Sequence, residues 1–250
     1  MQDGRAPEGL TGRVALVTGA SGGIGRAITL ALAGAGVSVA IGYGASDATA
    51  QQLAGQITAA GGRAAALSAD LAYAAEVARL TEDTEHAFGP VDILVSNAGT
   101  GERRQLENIE VEEFDETVAV NLRAPFLLAQ RLVPSMARRG FGRVLFISSV
   151  AAFTGGIVGP HYAASKAGLH GLMHSLSARF AVAGVTANAI APALITDTGM
   201  LPGDQEELRH QVPVGRLGRP AEVADLALAV LANPYLTNQV ISLDGGIYPR

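Results

Sequence analysis

The chain has 250 residues, 48% of them hydrophobic, which predicts one compact domain over residues 1–250 that begins with a flexible segment, residues 1–11. Its formal net charge of −5 and the lack of a basic stripe argue against nucleic acid as a partner, and the absence of cysteine excludes disulfides, thiolate nucleophiles and sulfur-bound metals. Because residues 1–11 lack the apolar core of a signal peptide and no run of about 18 apolar residues follows, we expect a cytoplasmic protein without membrane contact.

Short apolar runs alternate with longer spacers along the whole chain. The runs begin at Val14, Val37, Ala64, Asp92, Arg143, Val185 and Gln239. Their apolar residues follow one another directly, which is typical of parallel strands buried on both faces. Since the spacers are long enough for crossover helices, the sequence predicts an α/β fold with one doubly wound parallel sheet and helices on both faces. The segment 192–217 lacks periodicity and predicts a loop with one short helix, a candidate for a mobile lid.

Four glycines lie in the stretch TGASGGIG, residues 18–25, between the first apolar run and the first predicted helix. Glycine tolerates positive φ and has no Cβ, so it permits a tight turn, close approach of a phosphate to backbone N–H groups, and close packing of helix on strand. At this place in an α/β sheet a pyrophosphate meets the N-terminus of a helix. We therefore interpret the turn as a dinucleotide site, with a glycine-rich turn that binds nothing as the alternative.

The spacing T-G-x-x-x-G-x-G and a series of later motifs resemble the short-chain dehydrogenases/reductases over nearly the whole chain. The later motifs are SNAG at 96–99, VNL around Asn121, ISS ending at Ser149, YAASK at 162–166 and DGG at 244–246. Each motif alone is a weak signal, and their order along the chain carries the resemblance. It implies a single Rossmann-type sheet of seven strands in the order 3-2-1-4-5-6-7, and assembly into a homotetramer or a homodimer.

The resemblance implies four catalytic residues: Asn121, Ser149, Tyr162 and Lys166. Tyr162 would exchange a proton with the substrate oxygen while a hydride passes between nicotinamide and substrate carbon, and Ser149 would hydrogen-bond that oxygen. Asn121 would position a water that links Lys166 to solvent. Tyr162 and Lys166 are four residues apart on a predicted helix, so they share a face, and we expect the ammonium to lower the pKa of the phenol. Ser148 is the rival serine, but neighbours in a strand point to opposite faces.

The same resemblance implies contacts with a nicotinamide cofactor at the glycine turn and at the ends of later strands. The implied residues are Gly19, Ser21, Gly22, Gly23, Ile24, Gly25, Tyr43, Asp70, Leu71, Asn97, Ala98, Gly99, Tyr162, Lys166, Pro192 and Ile195. Asp70 could instead cap a helix, and residues 97–99 could form no more than a turn that ends a strand. Around Ile195, backbone contacts carry over more safely than the hydroxyls of Thr196 and Thr198.

NADP(H) is favoured over NAD(H) as the cofactor, with NAD(H) as the alternative. An acid about 20 residues past the glycine turn would grip the ribose 2′-hydroxyl and select NAD, and here none follows the second run until Asp47. Gly42 and Gly22 stand where NADPH-dependent relatives carry Asn and Arg, and Arg26 is the nearest cation.

The pattern is most similar to the 3-oxoacyl-acyl-carrier-protein reductases of fatty acid biosynthesis. Arg138 and Arg139 match a basic pair that docks the acyl carrier protein in that group, although a helix C-terminus favours cations anyway. The charged stretch 101–110 is expected to line the substrate mouth. The leading hypothesis is NADPH-linked reduction of a 3-oxoacyl thioester or related ketone. The alternatives are a dehydrogenase of a sugar, polyol or small secondary alcohol, and a nucleotide-sensing scaffold without turnover.

Three histidines lie near the YAASK motif: His161, His170 and His174. His170 and His174 share a helix face, which is a spacing seen in metal sites. No Glu lies between them and the chain has no Cys, so we interpret all three as structural or interface histidines and predict no metal.

Overall fold

The computed structural model describes residues 9–199, 201 and 205–248. The strands are β1 (Val14–Thr18), β2 (Ser38–Tyr43), β3 (Ala64–Ser68), β4 (Ile93–Ser96), β5 (Gly142–Ile147), β6 (Val185–Pro192) and β7 (Val240–Leu243). The helices are α1 (Gly23–Gly34), α2 (Asp47–Ala59), α3 (Ala74–Phe88), α4 (Val111–Val118), α5 (Ala124–Arg138), α6 (Ala151–Thr154), α7 (Pro160–Phe180), α8 (Gln205–Arg209) and α9 (Pro220–Ala232). Single helical turns occur at Leu106–Asn108 and Ala181–Ala183, and a π-helical turn, Ala119–Arg123, joins α4 to α5.

The strands form one parallel sheet in the order β3-β2-β1-β4-β5-β6-β7, which confirms the predicted fold and strand order. The strand order reverses between β1 and β4. In sheets of this kind, ligands bind beside the carboxyl ends of the strands at such a reversal. The topology therefore places the glycine turn, which follows β1, at the expected binding crevice.

Two apolar cores lie on opposite faces of the sheet, as the alternation along β1 shows: Ala15 and Val17 belong to one core, and Leu16 belongs to the other. Helices α1, α2 and α9 cover the first face, and α3, α5 and α7 cover the second. Because both faces are covered, β1, β2, β4, β5 and β6 are buried along their whole length. Among the described residues, none of the helices combines the length and apolar character that a membrane crossing requires.

The sequence predicts two irregular segments, residues 1–11 and 192–217. Of the segment predicted to be flexible, residues 1–8 lie outside the described residues. Its end is packed: Leu10 is 1% exposed in the first core, and the Thr11 hydroxyl donates to the Ala35 carbonyl at 3.1 Å. Leu10 thus fills an apolar site in the domain, and the flexibility of the segment stays a prediction. In the segment 192–217, α8 is the short helix that the described residues contain.

Candidate active site

Helix α1 begins in the glycine turn with an N-terminus that no described side chain caps and that has no acid in its first turn. Gly19 and Gly23 have φ of +60° and +45° and so need the freedom of glycine. A Cβ on Gly25 would lie 2.2 Å from the Gly19 carbonyl oxygen, because helix and turn are in direct contact. A Cβ on Gly22 would meet open space. The uncapped N–H groups at Gly22 and beyond can therefore receive an anion such as a pyrophosphate.

The end of β4 is fastened to the glycine turn by Asn97 and Thr18. The Asn97 carboxamide donates to the carbonyl oxygens of Thr18 and Gly19, both at 3.0 Å. The Thr18 hydroxyl oxygen accepts from the N–H groups of Asn97 and Ala98, both at 3.1 Å. The side-chain nitrogen of Asn97 is thus committed to the turn, and a cofactor contact here would use its Oδ1 or the backbone. Sequence reasoning did not single out Thr18.

A cavity of about 220 Å³ opens at the carboxyl edge of β5 and β6, beside the glycine turn. The predicted residues that line it are Ile24, Asn97, Ser149, Tyr162, Lys166, Pro192 and Ile195. The predicted residues outside this wall are Gly19, Ser21, Gly22, Gly23, Gly25, Tyr43, Asp70, Leu71, Ala98, Gly99 and Asn121. The structure therefore brings three of the four predicted catalytic side chains to one cavity.

Lys166 and Tyr162 lie one turn apart on α7 and are 3% and 6% exposed. The Lys166 ammonium nitrogen is 5.8 Å from the centre of the Tyr162 ring and donates to the Ile147 carbonyl at 3.0 Å. Ser149 follows β5, and its hydroxyl oxygen accepts from the Ala151 N–H at 3.1 Å. The end of β5 and helix α7 together bring Tyr162, Lys166 and Ser149 to one place.

Burial controls the pKa values of both α7 groups. It lowers the pKa of Lys166 to about 8 and raises the pKa of Tyr162 above its ordinary value, with hydrogen bonding to Ser149 offsetting part of the rise. The prediction that the ammonium lowers the pKa of the phenol is therefore wrong for this structure. The reason is that loss of water disfavours phenolate more than the groups around it favour phenolate.

Asn121 lies in the π-helical turn and is fully buried. Its carboxamide accepts from the Thr100 N–H and donates to the Thr100 carbonyl, both at 2.8 Å, and it also donates to Ser165 Oγ at 3.0 Å. A Cβ on Gly99 would lie 3.0 Å from the Lys166 nitrogen and 3.3 Å from Asn121 Oδ1. Asn121 is therefore beside Lys166, and it keeps one acceptor position on Oδ1 for a water. π-helical turns are frequent at functional sites.

The ends of β2 and β3 carry the remaining predicted contacts. The Tyr43 hydroxyl donates to the Asp47 carboxylate, and Asp70 Oδ1 accepts from the Ala72 N–H at 2.9 Å in a local turn. Asp70 does not cap α3, whose N-cap is Tyr73. Leu71 packs against the second core.

The expectation that the charged stretch 101–110 lines the substrate mouth stays a prediction: none of its residues belongs to the cavity wall that the described residues form, but a Cβ on Gly101 would lie 2.8 Å from the Tyr162 ring. The Arg104 N–H donates to the Val158 carbonyl at 2.9 Å, and its guanidinium binds Glu113 at 3.1 Å. Val158 itself lines the cavity. The Arg104 side chain is therefore directed toward Glu113 on α4, and its backbone is hydrogen-bonded to a residue of the cavity wall.

The basic pair at the end of α5, Arg138 and Arg139, lies at the amino ends of the strands, whereas Ser149 lies at their carboxyl ends. The six residues of β5 separate the two places by roughly 20 Å, at about 3.3 Å per residue. Arg139 donates to the Val91 carbonyl at 2.5 Å and lies 3.3 Å from the Asp92 carboxylate. Arg139 therefore holds the segment before β4 to α5, although both arginines are exposed.

The three histidines occupy different surroundings. His161 is buried, with Nε2 3.7 Å from Glu113 Oε1. His174 contacts the Asn238 side chain at 2.6 Å, and His170 contacts Ser148 Oγ at 2.8 Å. In the described ranges, no group of three His, Asp or Glu side chains is arranged to hold a metal ion.

Known proteins match this chain over most of its length. The sequence model of a family described as short chain dehydrogenase matches residues 13–209. The 3-oxoacyl-[acyl-carrier-protein] reductase of Synechocystis sp. is 36% identical over 241 residues, which cover 95% of this chain and 98% of that protein. The hydroxynaphthalene reductase-like protein Arp2 of Metarhizium robertsii is 37% identical over 263 residues and 96% of each chain.

Solved structures resemble the chain equally closely. A blue fluorescent protein from a metagenomic library, in complex with NADPH, has a TM-score of 0.90 and 35% identity, and the match covers 97% of this chain and all of the other. A mutant of a Serratia marcescens short-chain dehydrogenase/reductase has a TM-score of 0.89 and 34% identity, covering 95% and 98% of the two chains.

Proposed function

The chain belongs to the short-chain dehydrogenase family, and from this premise we propose that it reduces an apolar ketone with NADPH, with a 3-oxoacyl thioester as the leading substrate. Membership in the family makes the chain an oxidoreductase that binds a nicotinamide cofactor. The relatives named 3-oxoacyl-[acyl-carrier-protein] reductase support the choice of ketone.

The observation that carries the proposal is the apolar wall of the cavity, by which we mean Ile157, Val158, Leu194, Leu201 and Ile247; Thr154, Thr198 and Gln211 also line the cavity. A sugar or polyol would lose hydration at each hydroxyl that met this wall without gaining a hydrogen bond. Binding of an alkyl chain would become more favourable by about 0.8 kcal/mol in free energy for each CH₂ that the wall removes from water. The apolar wall therefore favours a ketone with an apolar body over the polyol alternative.

The state of the catalytic side chains supports reduction. Because burial raises its pKa, Tyr162 holds its proton at neutral pH and can donate it to a carbonyl oxygen that gains charge. Ser149 would hydrogen-bond the same oxygen and stabilise the developing charge. When bound, the nicotinamide cofactor supplies the hydride. Lys166 would hold the ribose hydroxyls, and Asn121 would hold the water through which the proton on Tyr162 is replaced.

The residues present fit a dinucleotide. The uncapped N-terminus of α1, with open space at Gly22, suits a pyrophosphate. We assign the adenosine side to the ends of β2, β3 and β4, and the nicotinamide side to the backbone at Pro192 and Ile195, which line the cavity.

NADPH is our choice over NADH because no acid stands free at the end of β2. The first acid after that strand, Asp47, accepts a hydrogen bond from Tyr43. Arg26 is exposed on α1 and donates to Gln56 at 2.9 Å, where it would add positive charge near a 2′-phosphate. The NADPH complex of a structural relative supports the same choice. A higher kcat/KM with NADH than with NADPH would overturn it.

Assembly and carrier-protein binding remain proposals. Exposed apolar side chains mark the surface around α4 and α5, with Val111 68% and Phe126 46% exposed, which suits a homotetramer or homodimer. Light scattering of the purified chain would measure this. Arg139 binds the Val91 carbonyl and the Asp92 carboxylate, so a change there would also affect the fold. Arg138→Glu therefore tests docking of an acidic carrier protein.

The test of function follows absorbance at 340 nm with NADPH and 3-oxoacyl thioesters, and with NADP⁺ and a panel of sugars and polyols. We expect turnover with the thioesters that increases in kcat/KM with chain length. Faster turnover with polyols would support the alternative dehydrogenase. No turnover with any substrate would support a nucleotide-sensing scaffold.

A further inference from the structure

Ser148 lies between the last residue of β5 and Ser149, and its hydroxyl joins the strand to helix α7. Ser148 Oγ is 3.1 Å from the Lys166 carbonyl oxygen and 2.8 Å from His170 Nε2. Ser148 is 4% exposed, so water competes little for either contact.

The direction of these hydrogen bonds follows from the chemistry of the groups. A hydroxyl has one proton to donate, and the carbonyl oxygen of Lys166 can only accept. Ser148 therefore donates to Lys166. Its oxygen must then accept from His170, which requires a proton on Nε2 of that imidazole. The network assigns His170 as a donor, independent of whether its other ring nitrogen is protonated.

This network holds Lys166 at both ends of the residue. The Ile147 carbonyl accepts from the Lys166 ammonium at 3.0 Å, and Ser148 donates to the Lys166 backbone carbonyl at 3.1 Å. Ser149 is the next residue along the same turn and lines the cavity with Tyr162. The Ser148 hydroxyl thus sets the position of the turn after β5 relative to α7, and with it the distance between Ser149 and Tyr162.

An aromatic stack keeps His170 in place. Its ring centre is 4.9 Å from that of Phe153 on α6, and Phe153 is stacked on Tyr248 with ring centres 5.2 Å apart. Ile247, next to Tyr248, lines the cavity. The stack restricts the imidazole to the orientation in which it reaches Ser148.

We propose that His170 is a positioning residue that acts through Ser148 to hold Ser149 and Lys166 in register with Tyr162. His170 is not part of the cavity wall that the described residues form, whereas Ser148 and Ser149 both line it, so His170 acts on the reaction through Ser148 and not by touching substrate. The proposal rests on the proposed reductase chemistry. It also gives a purpose to a histidine that sequence reasoning had grouped with structural ones.

The experiment compares His170→Leu, which removes the donor, with His170→Gln, whose carboxamide places an N–H at about the same reach. His174→Leu is the matched control, because His174 lies one turn further along α7 and contacts Asn238 outside the cavity. For each variant, kcat and KM for a 3-oxoacyl thioester are measured at saturating NADPH, together with the melting temperature.

We expect His170→Leu to lower kcat about 10-fold and to change KM less than about twofold, because the variant loses the alignment of Ser149 and Lys166 with Tyr162 but keeps the substrate contacts. His170→Gln should recover kcat to within about threefold of wild type, and His174→Leu should leave kcat unchanged. Ser148→Ala should lower kcat as His170→Leu does, and the double variant should be no slower than Ser148→Ala alone.

A wild-type kcat in folded His170→Leu would overturn the proposal, and so would a Gln variant no faster than the Leu variant, or additive losses in the double variant. If His170→Leu does not fold, Ser148→Ala carries the test, since it removes the acceptor with a small change in volume. If wild type turns over a polyol and not a ketone, the proposed function fails, and the same variants measured in that reaction still decide the role of His170.

Discussion

The glycine turn offers uncapped backbone N–H groups at the start of α1, whereas the apolar wall is formed by aliphatic residues. The turn is short, follows one strand, and is fixed by contacts between Gly19, Gly25 and Asn97. The apolar wall is assembled from segments as distant in sequence as Val158 and Ile247. The proposed pyrophosphate site therefore depends on one local stretch of chain, whereas the proposed substrate surface depends on how separate segments pack.

The largest expected effect on kcat concerns Tyr162, which lines the cavity between the glycine turn and the apolar wall. Tyr162→Phe removes the proton donor and keeps the ring, so we expect kcat to fall by about 10³-fold, within the range for loss of a general acid. NADPH affinity, measured by fluorescence, should change little. A kcat within tenfold of wild type would show that another group protonates the substrate.

A single methyl group should disrupt the glycine turn at one position and not at another. In Gly25→Ala the new Cβ would lie 2.2 Å from a backbone oxygen, so we expect a loss of about 1–3 kcal/mol in the free energy of unfolding, with weaker NADPH binding. In the matched Gly22→Ala the new Cβ meets open space, and the change should stay within about 0.5 kcal/mol. Urea titration of both variants measures this, and equal losses would contradict the packing described for the turn.

The buried ammonium of Lys166 should make stability depend on pH. Its pKa is about 8 in the folded protein and about 10.4 in an unfolded chain. Between these values the unfolded chain binds the proton and the folded protein does not, so the free energy of unfolding rises with pH across this window. We expect wild type to gain about 2 kcal/mol relative to Lys166→Met between pH 8 and pH 10, at 1.36 kcal/mol per pKa unit.

Above pH 10 the raised pKa of Tyr162 acts in the opposite sense, because the folded protein then retains a proton that the unfolded chain loses. The comparison is therefore confined to pH 8–10. If the difference in free energy of unfolding between wild type and Lys166→Met stays constant across this window, the pKa of Lys166 is not lowered in the folded protein.

The apolar wall should control substrate length without affecting the cofactor. Ile247→Asn replaces an apolar contact with an amide, so we expect kcat/KM for a long 3-oxoacyl thioester to fall about tenfold, while the shortest ketone and the KM for NADPH change less than twofold. Val182→Asn is the control, since Val182 is 98% exposed and apart from the cavity wall. An equal loss for short and long ketones would remove Ile247 from the binding surface.

The smallest expected effect concerns cofactor choice at the glycine turn. Gly22 has φ of −134° and open space at its Cβ position, so an arginine fits there without strain. Gly22→Arg should raise the ratio of kcat/KM for NADPH to that for NADH about fivefold, through attraction to a 2′-phosphate. The gain should shrink at high salt. A lower ratio would place the adenosine ribose elsewhere.

Much of the fold and of the candidate site could be predicted from the sequence because both depend on local patterns. Buried parallel strands are continuous apolar runs, and the spacing of Tyr162 and Lys166 on one helix fixes their common face. The strand order came from the family resemblance and is confirmed. The order of short motifs also placed Ser149 ahead of Ser148 as the serine beside Tyr162.

What could not be predicted depends on packing between distant segments. The π-helical turn at Asn121 has no sequence signature, and the direction of the pKa shift of Tyr162 follows from burial, which only the folded chain defines. The charges of the stretch 101–110 indicate exposure but not direction, so the sequence could not show that Arg104 binds Glu113 on α4. Ser148 and His170 are 22 residues apart, and no periodicity links a strand end to a helix face.

The central claim is that one carbonyl receives a hydride and a proton in the cavity between Ser149 and Tyr162. The direct measurement is a crystal structure with NADP⁺ and an unreactive 3-oxoacyl thioester analogue. The account predicts the ketone oxygen at about 2.6–3.2 Å from both Tyr162 Oη and Ser149 Oγ, with the pyrophosphate on the N-terminus of α1 and the alkyl chain on the apolar wall. A carbonyl bound away from Tyr162, or a dinucleotide bound away from the glycine turn, would contradict it.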